Sequence, residues 1–301
     1  MTGRRRVGMF AVLGVAAAFL VVGCGGGGGE EQGGEGGGGP TATIVSDLPL
    51  QGSARARQET IANAITLALE DRNYMAGDVQ IEYISQDDAT AQAGKWDEAR
   101  CAENAQSAAQ NEDVVGWIGP YNSGCAAIEI PILNQAGLAM VSHGNTAVGL
   151  TKASGEPGEP EQYYPTGNRN YTRVIVTDDT QASAGASWMR DQGIQTVYIL
   201  DDRETFGVGL ADQLQRSAEA LGIQVLGREG IDGSAANYRS LMERIAPLQP
   251  DAIYFAGVTD NNAGQIVIDK VGAGMSNEDV LFMGSEGIFE ESFLEAAGGA
   301  A

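Results

Sequence analysis

The sequence predicts an α/β body of two lobes, each a parallel sheet flanked by helices. Eight short, largely apolar, β-branched runs recur along the chain, and stretches with helical spacing separate them. A ninth run, Tyr171–Val176, follows the proline-rich stretch Ser154–Thr166 and reads as the chain passing from one lobe to the next. Strand–helix alternation of this kind puts parallel strands in a sheet with helices on both faces.

The eight runs are Thr43–Ser46, Val79–Ile84, Val114–Ile118, Leu138–Ser142, Thr196–Leu200, Gln224–Arg228, Ala252–Phe255 and Val280–Met283. Each has the length and apolar content of a strand buried on both faces. Among the helices, Ile61, Ile65, Ala68 and Leu69 share a face, as do Leu210, Leu214, Ala218 and Leu221, with Gly222 as the stop. Ile266 and Lys270 belong to a further helix ending near Gly272. The first lobe is placed at residues 41–177 and the second at 178–301.

The first forty residues are of another kind. Arg4-Arg5-Arg6 followed by the apolar run Val7–Val22 reads as a secretory signal, residues 1–23, too short to span a bilayer. Val21-Val22-Gly23-Cys24 resembles the bacterial lipobox, which implies a lipidated Cys24 and attachment to the outer face of the cytoplasmic membrane. Residues 24–40 are nearly all glycine and form a tether with a reach on the order of 20 Å. Export implies an oxidising compartment, in which Cys101 and Cys125 could bridge; their spacing leaves that open. One histidine and no C-x-x-C pair speak against a metal site.

The formal charge is −22, and losing the three leader arginines lowers it by three, to −25. Such a surface repels phosphate backbones, so nucleic acid is excluded as a partner. The turn after the first strand, Pro49-Leu50-Gln51-Gly52-Ser53, carries neither a dinucleotide nor a P-loop motif, and no G-x-S-x-G elbow occurs. An enzyme is therefore not expected, and no cofactor.

Open parallel sheets bind ligands beyond the carboxyl ends of their strands. After Val114–Ile118 comes Gly119-Pro120-Tyr121-Asn122-Ser123-Gly124, opening a helix whose free N–H groups and Ser123 hydroxyl suit a carboxylate, although capping is the ordinary task of such a serine. After Leu138–Ser142 comes the polar turn His143-Gly144-Asn145-Thr146, able to take the same anion; His143 is read as a loop residue. In the second lobe, Phe206 could wall a pocket or simply fill the core, Val258 ends another strand, and Glu286 lies between glycines where it could meet an ammonium group or stand in solvent. A hydroxyl-and-amide nest on one lobe and a carboxylate on the other would hold a zwitterion.

Several segments resemble the type I periplasmic binding proteins, in particular the leucine/isoleucine/valine-binding branch that serves ABC transporters. They are Gln86-Asp87-Asp88, Ile118-Gly119 before the Ser123 loop, Pro131–Gly137, Phe206-Gly207-x-Gly209-Leu210 and Phe282–Gly287. The resemblance implies that Ser123 and Thr146, with backbone at Gly144 and the neighbouring Asn145, hold the carboxylate of a small amino acid. It implies that Glu286 holds the ammonium, and that Phe206, which stands where the family has a tyrosine, and Val258 cover the side chain. An ABC permease is the implied partner. Val258 in place of a tyrosine and His143 in place of a proline leave the ligand open, so the same fold binding an amide, urea or another small polar solute is the alternative. The resemblance also predicts roughly another hundred residues beyond the Glu286 segment, which makes the sequence look truncated at Ala301.

Overall fold

A computed structural model describes residues 39–300; the segments expected to be a secretory signal, a lipidated Cys24 and a tether before Gly39 lie outside the described residues. Thr41–Leu48 (β1) becomes a central strand because Ala42, Val45 and Leu48 are apolar and its neighbours cover both faces. Arg55–Glu70 (α1), Met75–Ala76 (β2) and Val79–Asp87 (β3) follow, then a small hairpin of Ala89–Thr90 (β4) and Lys95–Trp96 (β5). Glu98–Ala109 (α2) starts on Asp97, whose carboxylate accepts from the N–H groups of Ala99 and Arg100. Val114–Ile118 (β6), Ser123–Ala136 (α3), Ala139–Ser142 (β7) and Tyr171–Arg173 (β8) complete the first sheet, in the order β2–β3–β1–β6–β7–β8. All neighbours pair in parallel except β2, which folds back antiparallel on β3.

The second sheet has the order β10–β9–β11–β12, all parallel, from Thr196–Asp201 (β9), Gln224–Gly230 (β10), Ala252–Ala256 (β11) and Leu281–Gly284 (β12). Apolar clusters fill both faces. Asp178–Asp191 (α4) and Thr205–Ala220 (α5) cover one; Arg239–Ile245 (α6) and Ala263–Gly272 (α7) cover the other, and Glu291–Ala297 (α8) packs on α7. Leu210, Leu214 and Ala218 lie on the buried stripe of α5, which terminates at Gly222 with φ +79°.

Two expectations change. The run Tyr171–Val176 forms a strand only as far as Arg173, and residues 174–177 carry the chain to the second lobe with Val174 and Val176 exposed. No strand lies beyond β8 to pair with them among the described residues. The strand Val79–Asp87 is also less buried than its composition suggests, because only Ile81 is fully covered and Ile84 is open to solvent.

The cysteines are joined: Cys101 on α2 and Cys125 on α3 form a disulfide with Cα atoms 5.6 Å apart. Around it lie three fully buried carboxyls, Asp47, Asp88 and Glu129. Asn104 donates to Asp47 (2.8 Å) and the Trp117 indole donates to Glu129 (2.9 Å), whereas Asp47 Oδ2 and Asp88 Oδ1 have no partner. Burial raises the pKa of all three, Asp47 to about 6, and their mutual repulsion raises Asp88 and Glu129 further.

Candidate functional site

The loop after β6 brings the first wall. At Gly119 the backbone turns with φ +120°, and a Cβ there would meet the Asp47 carbonyl oxygen at 2.3 Å, so only glycine fits. The chain then enters α3. Ala126 donates the first helical bond, to Asn122 O, which leaves the N–H groups of Ser123, Gly124 and Cys125 without a helical acceptor. Ser123 does not cap this helix. Its buried hydroxyl accepts from the N–H groups of Thr146 and Ala147, at 3.3 and 3.2 Å, so its own proton is free to be donated.

The loop after β7 brings the second. Ser142 Oγ accepts from the N–H groups of Gly144 and Asn145 and donates to Pro120 O. Gly144 lies so close to the Tyr121 ring that a Cβ would meet it at 2.5 Å. Asn145 turns away from the cavity: its amide donates to Tyr121 O and accepts from the Tyr171 hydroxyl, so it holds the loop in shape rather than offering a group to a ligand. Arg173 does the same, donating to Asn145 O, Ala147 O and Thr151 Oγ1. Thr146 Oγ1 is buried with no partner.

The second lobe supplies the opposing wall. Phe206 begins α5 and Val258 follows β11; both are buried, and both also belong to the core under α4 and α5. Glu286 follows β12. Its N–H donates to Gln181 Oε1, and the Gln181 amide donates to Asp178. Glu286 Oε2 and Asp178 Oδ2 are buried without partners. Burial raises both carboxyls; Asp178, which also feels the charge of Glu286, is pushed to about 7. Ser123, Gly144, Thr146, Phe206, Val258 and Glu286 thus come together around one cavity, joined by Tyr121 and Asn122.

That cavity measures about 10 Å³, room for about one water, so an amino acid enters only as the lobes part. A wider cleft of about 320 Å³ lies alongside, between Ala147–Gly149 and the start of α5. The lobes are tied by the β4–β5 hairpin. Lys95 pairs with Glu204 and donates to Asn261 (2.6 Å), the Trp96 indole donates to Glu204 (2.9 Å), and Ser53 N–H donates to Asp260 (2.6 Å). Trp96 also lies against Gly124, where a Cβ would meet its ring at 2.6 Å.

Residue patterns did not single out Arg57, Tyr121, Asp178 or Gln181. Tyr121 sits in a loop already marked by its place after a strand. Asp178 follows the crossing segment, a position with a geometric meaning only once the two lobes are known. His143, read as a loop residue, is in that loop but half-buried, stacked on Tyr121 and hydrogen-bonded to Gln58; burial lowers its pKa to about 4, so it is neutral.

Relatives are consistent with this architecture. The Leu/Ile/Val-binding protein BraC3 of Rhizobium johnstonii is 26% identical over 212 residues, covering 69% of this chain and 52% of the relative. A Leu/Ile/Val/Thr-binding protein of Salmonella typhimurium is 26% identical, covering 68% and 53%. The chain thus spans about half the length of these curated relatives. The leucine-binding protein LivK of Thermotoga maritima superposes with a TM-score of 0.72 at 21% identity, covering 86% of this chain and 67% of that one. A solute-binding protein of R. palustris in complex with 4-hydroxybenzoate does so at 0.70 and 16%, covering 82% and 62%. The family described as periplasmic binding protein matches residues 43–301. With that match across nearly the whole described body, the chain belongs to the periplasmic binding protein family.

Proposed function

We propose that the protein is the extracytoplasmic substrate-binding component of an ABC importer, capturing a branched-chain or related amino acid between its lobes. A lipid on Cys24 would hold it at the outer face of the cytoplasmic membrane. The observation that carries the reading is the set of buried atoms without partners in and beside one cavity: Thr146 Oγ1 and Glu286 Oε2 on its two walls, and Asp178 Oδ2 next to Thr146. Buried polar atoms are nearly always satisfied, so such a group of orphans suits a ligand that satisfies them. A carboxylate fits the donors at Ser123, Thr146 and the start of α3, and an ammonium fits the two acids. Names of relatives such as the Leu/Ile/Val-binding proteins support an amino acid.

The test is a thermal-shift screen of the protein against amino acids, amides, urea and benzoates. A ligand that binds only the folded state raises Tm by mass action, by about 2.7 kcal/mol of added stability at a hundredfold excess over Kd. The expected result is a shift with one or more α-amino acids and none with urea. Shifts with amides, urea or benzoates alone would overturn the reading.

A further inference from the structure

Resting on the amino-acid reading above but replacing its branched-chain side chain with an acidic one, we infer that the preferred ligand is an α-amino acid whose side chain ends in a carboxylate, and that Arg57 reads that group. Arg57 lies in the first turn of α1, half-buried, bonded to two residues that line the cavity, Tyr121 and Glu286. Its Nη1 donates to the Tyr121 hydroxyl at 3.1 Å and, across the lobes, to the Glu286 carbonyl at 3.3 Å. The guanidinium carbon stands 5.3 Å from the centre of the Tyr121 ring. Among the described residues no carboxylate comes within ion-pairing distance of it. The rest of its planar fork is therefore available, and that fork matches a carboxylate with two parallel hydrogen bonds.

The surroundings sharpen the choice. Tyr121 OH accepts from Arg57 and has its own proton left to give, so both groups offer donors to an incoming oxygen. Of the nearby acids, Asp260 is committed to the Ser53 N–H, Asp178 accepts from the Gln181 amide, and Glu286 lines the cavity where the ammonium is assigned. A purely aliphatic side chain closing over Arg57 would strip water from N–H groups and return no acceptor. Sites built from polar groups reject such analogues strongly. Phe206 and Val258 remain to cover the methylene stem.

The experiment is calorimetry of the unmodified protein and of Arg57→Leu and Arg57→Lys with glutamate, aspartate, glutamine and leucine. The expected result for the unmodified protein is glutamate or aspartate at least tenfold tighter than leucine and glutamine. Arg57→Leu is expected to lose at least tenfold for the acidic ligand while leucine binding holds or improves, and Arg57→Lys to recover part of the loss. Leucine or glutamine binding as tightly as the acids, or Arg57→Leu leaving the ranking unchanged, overturns the inference while the amino-acid reading stands. No binding of any amino acid by folded protein overturns both. Urea unfolding of each variant separates lost recognition from lost stability.

Discussion

Replacing Glu286 with glutamine is expected to weaken binding of the protein's amino acid by about 1.5–3 kcal/mol, roughly ten- to a hundredfold. The substitution keeps the shape of the side chain. It also leaves the backbone bond from Glu286 N–H to Gln181, so the loop after β12 has no reason to move. What it removes is the negative charge on a buried oxygen with no partner in the protein. Asp178, close enough to feel the charge of Glu286, predicts a pH dependence. Burial and the charge of Glu286 hold Asp178 near 7, so its carboxyl is about half protonated at neutral pH in the free protein. A ligand ammonium favours the ionised form and lowers that pKa. Affinity should therefore rise between about pH 6 and 8, and binding near pH 7 should release a proton, seen as a buffer-dependent heat in calorimetry. Asp178→Asn should remove that proton release. A Glu286→Gln protein with unchanged affinity would take this side chain out of the site.

The second large effect concerns stability. Asp47→Asn is expected to stabilise the protein at pH 8 by about 2–3 kcal/mol and to change it little near pH 4. In the folded protein burial is the largest cause of the raised Asp47 pKa, about 6, and the charge of Asp87 adds to it, while hydrogen bonds with Glu129 and Asn104 and the charge of Arg100 offset it only in part. The folded state thus holds its proton to higher pH than the unfolded chain, whose aspartates ionise near 4. The burden is absent below about pH 4, grows as pH rises through about 6, and is complete above it. An asparagine can still accept from Asn104 and can donate to Glu129, so the geometry survives without the charge. Urea unfolding at pH 4.5 and 8 checks this: an equal effect at both values, or destabilisation at pH 8, contradicts it.

Much of the fold was legible because a buried parallel strand writes itself as a short apolar run. β1, β6, β9 and β11 fall where the runs do. The site loops were legible for a topological reason: Ser123, Thr146, Phe206, Val258 and Glu286 each follow a strand, and such positions line the cleft whatever the local residue types. Other parts depend on tertiary placement. Arg57 belongs to a run of charge at the start of a helix, Arg55-Ala56-Arg57, and only packing shows that Arg55 pairs with Glu59 in solvent while Arg57 turns to Tyr121. Asn145 has the residue type and place of a ligand group, yet its amide is committed to Tyr121 O and Tyr171. The acids Asp47, Asp88 and Glu129 lie on three different elements, so no sequence spacing announces their meeting. Two-residue strands such as β4 and β5 carry too little pattern to be seen, although they bring Lys95 and Trp96 to the second lobe.

The central claim is that both ends of a zwitterion are held, one by each lobe. Calorimetry with the tightest-binding amino acid, its N-acetyl derivative and its α-carboxamide tests it directly. Each capped form should bind at least a hundredfold more weakly, because acetylation removes the charge that faces Glu286 and amidation removes the charge that faces Ser123 and Thr146. An N-acetyl derivative that binds as well as the free amino acid would contradict the claim.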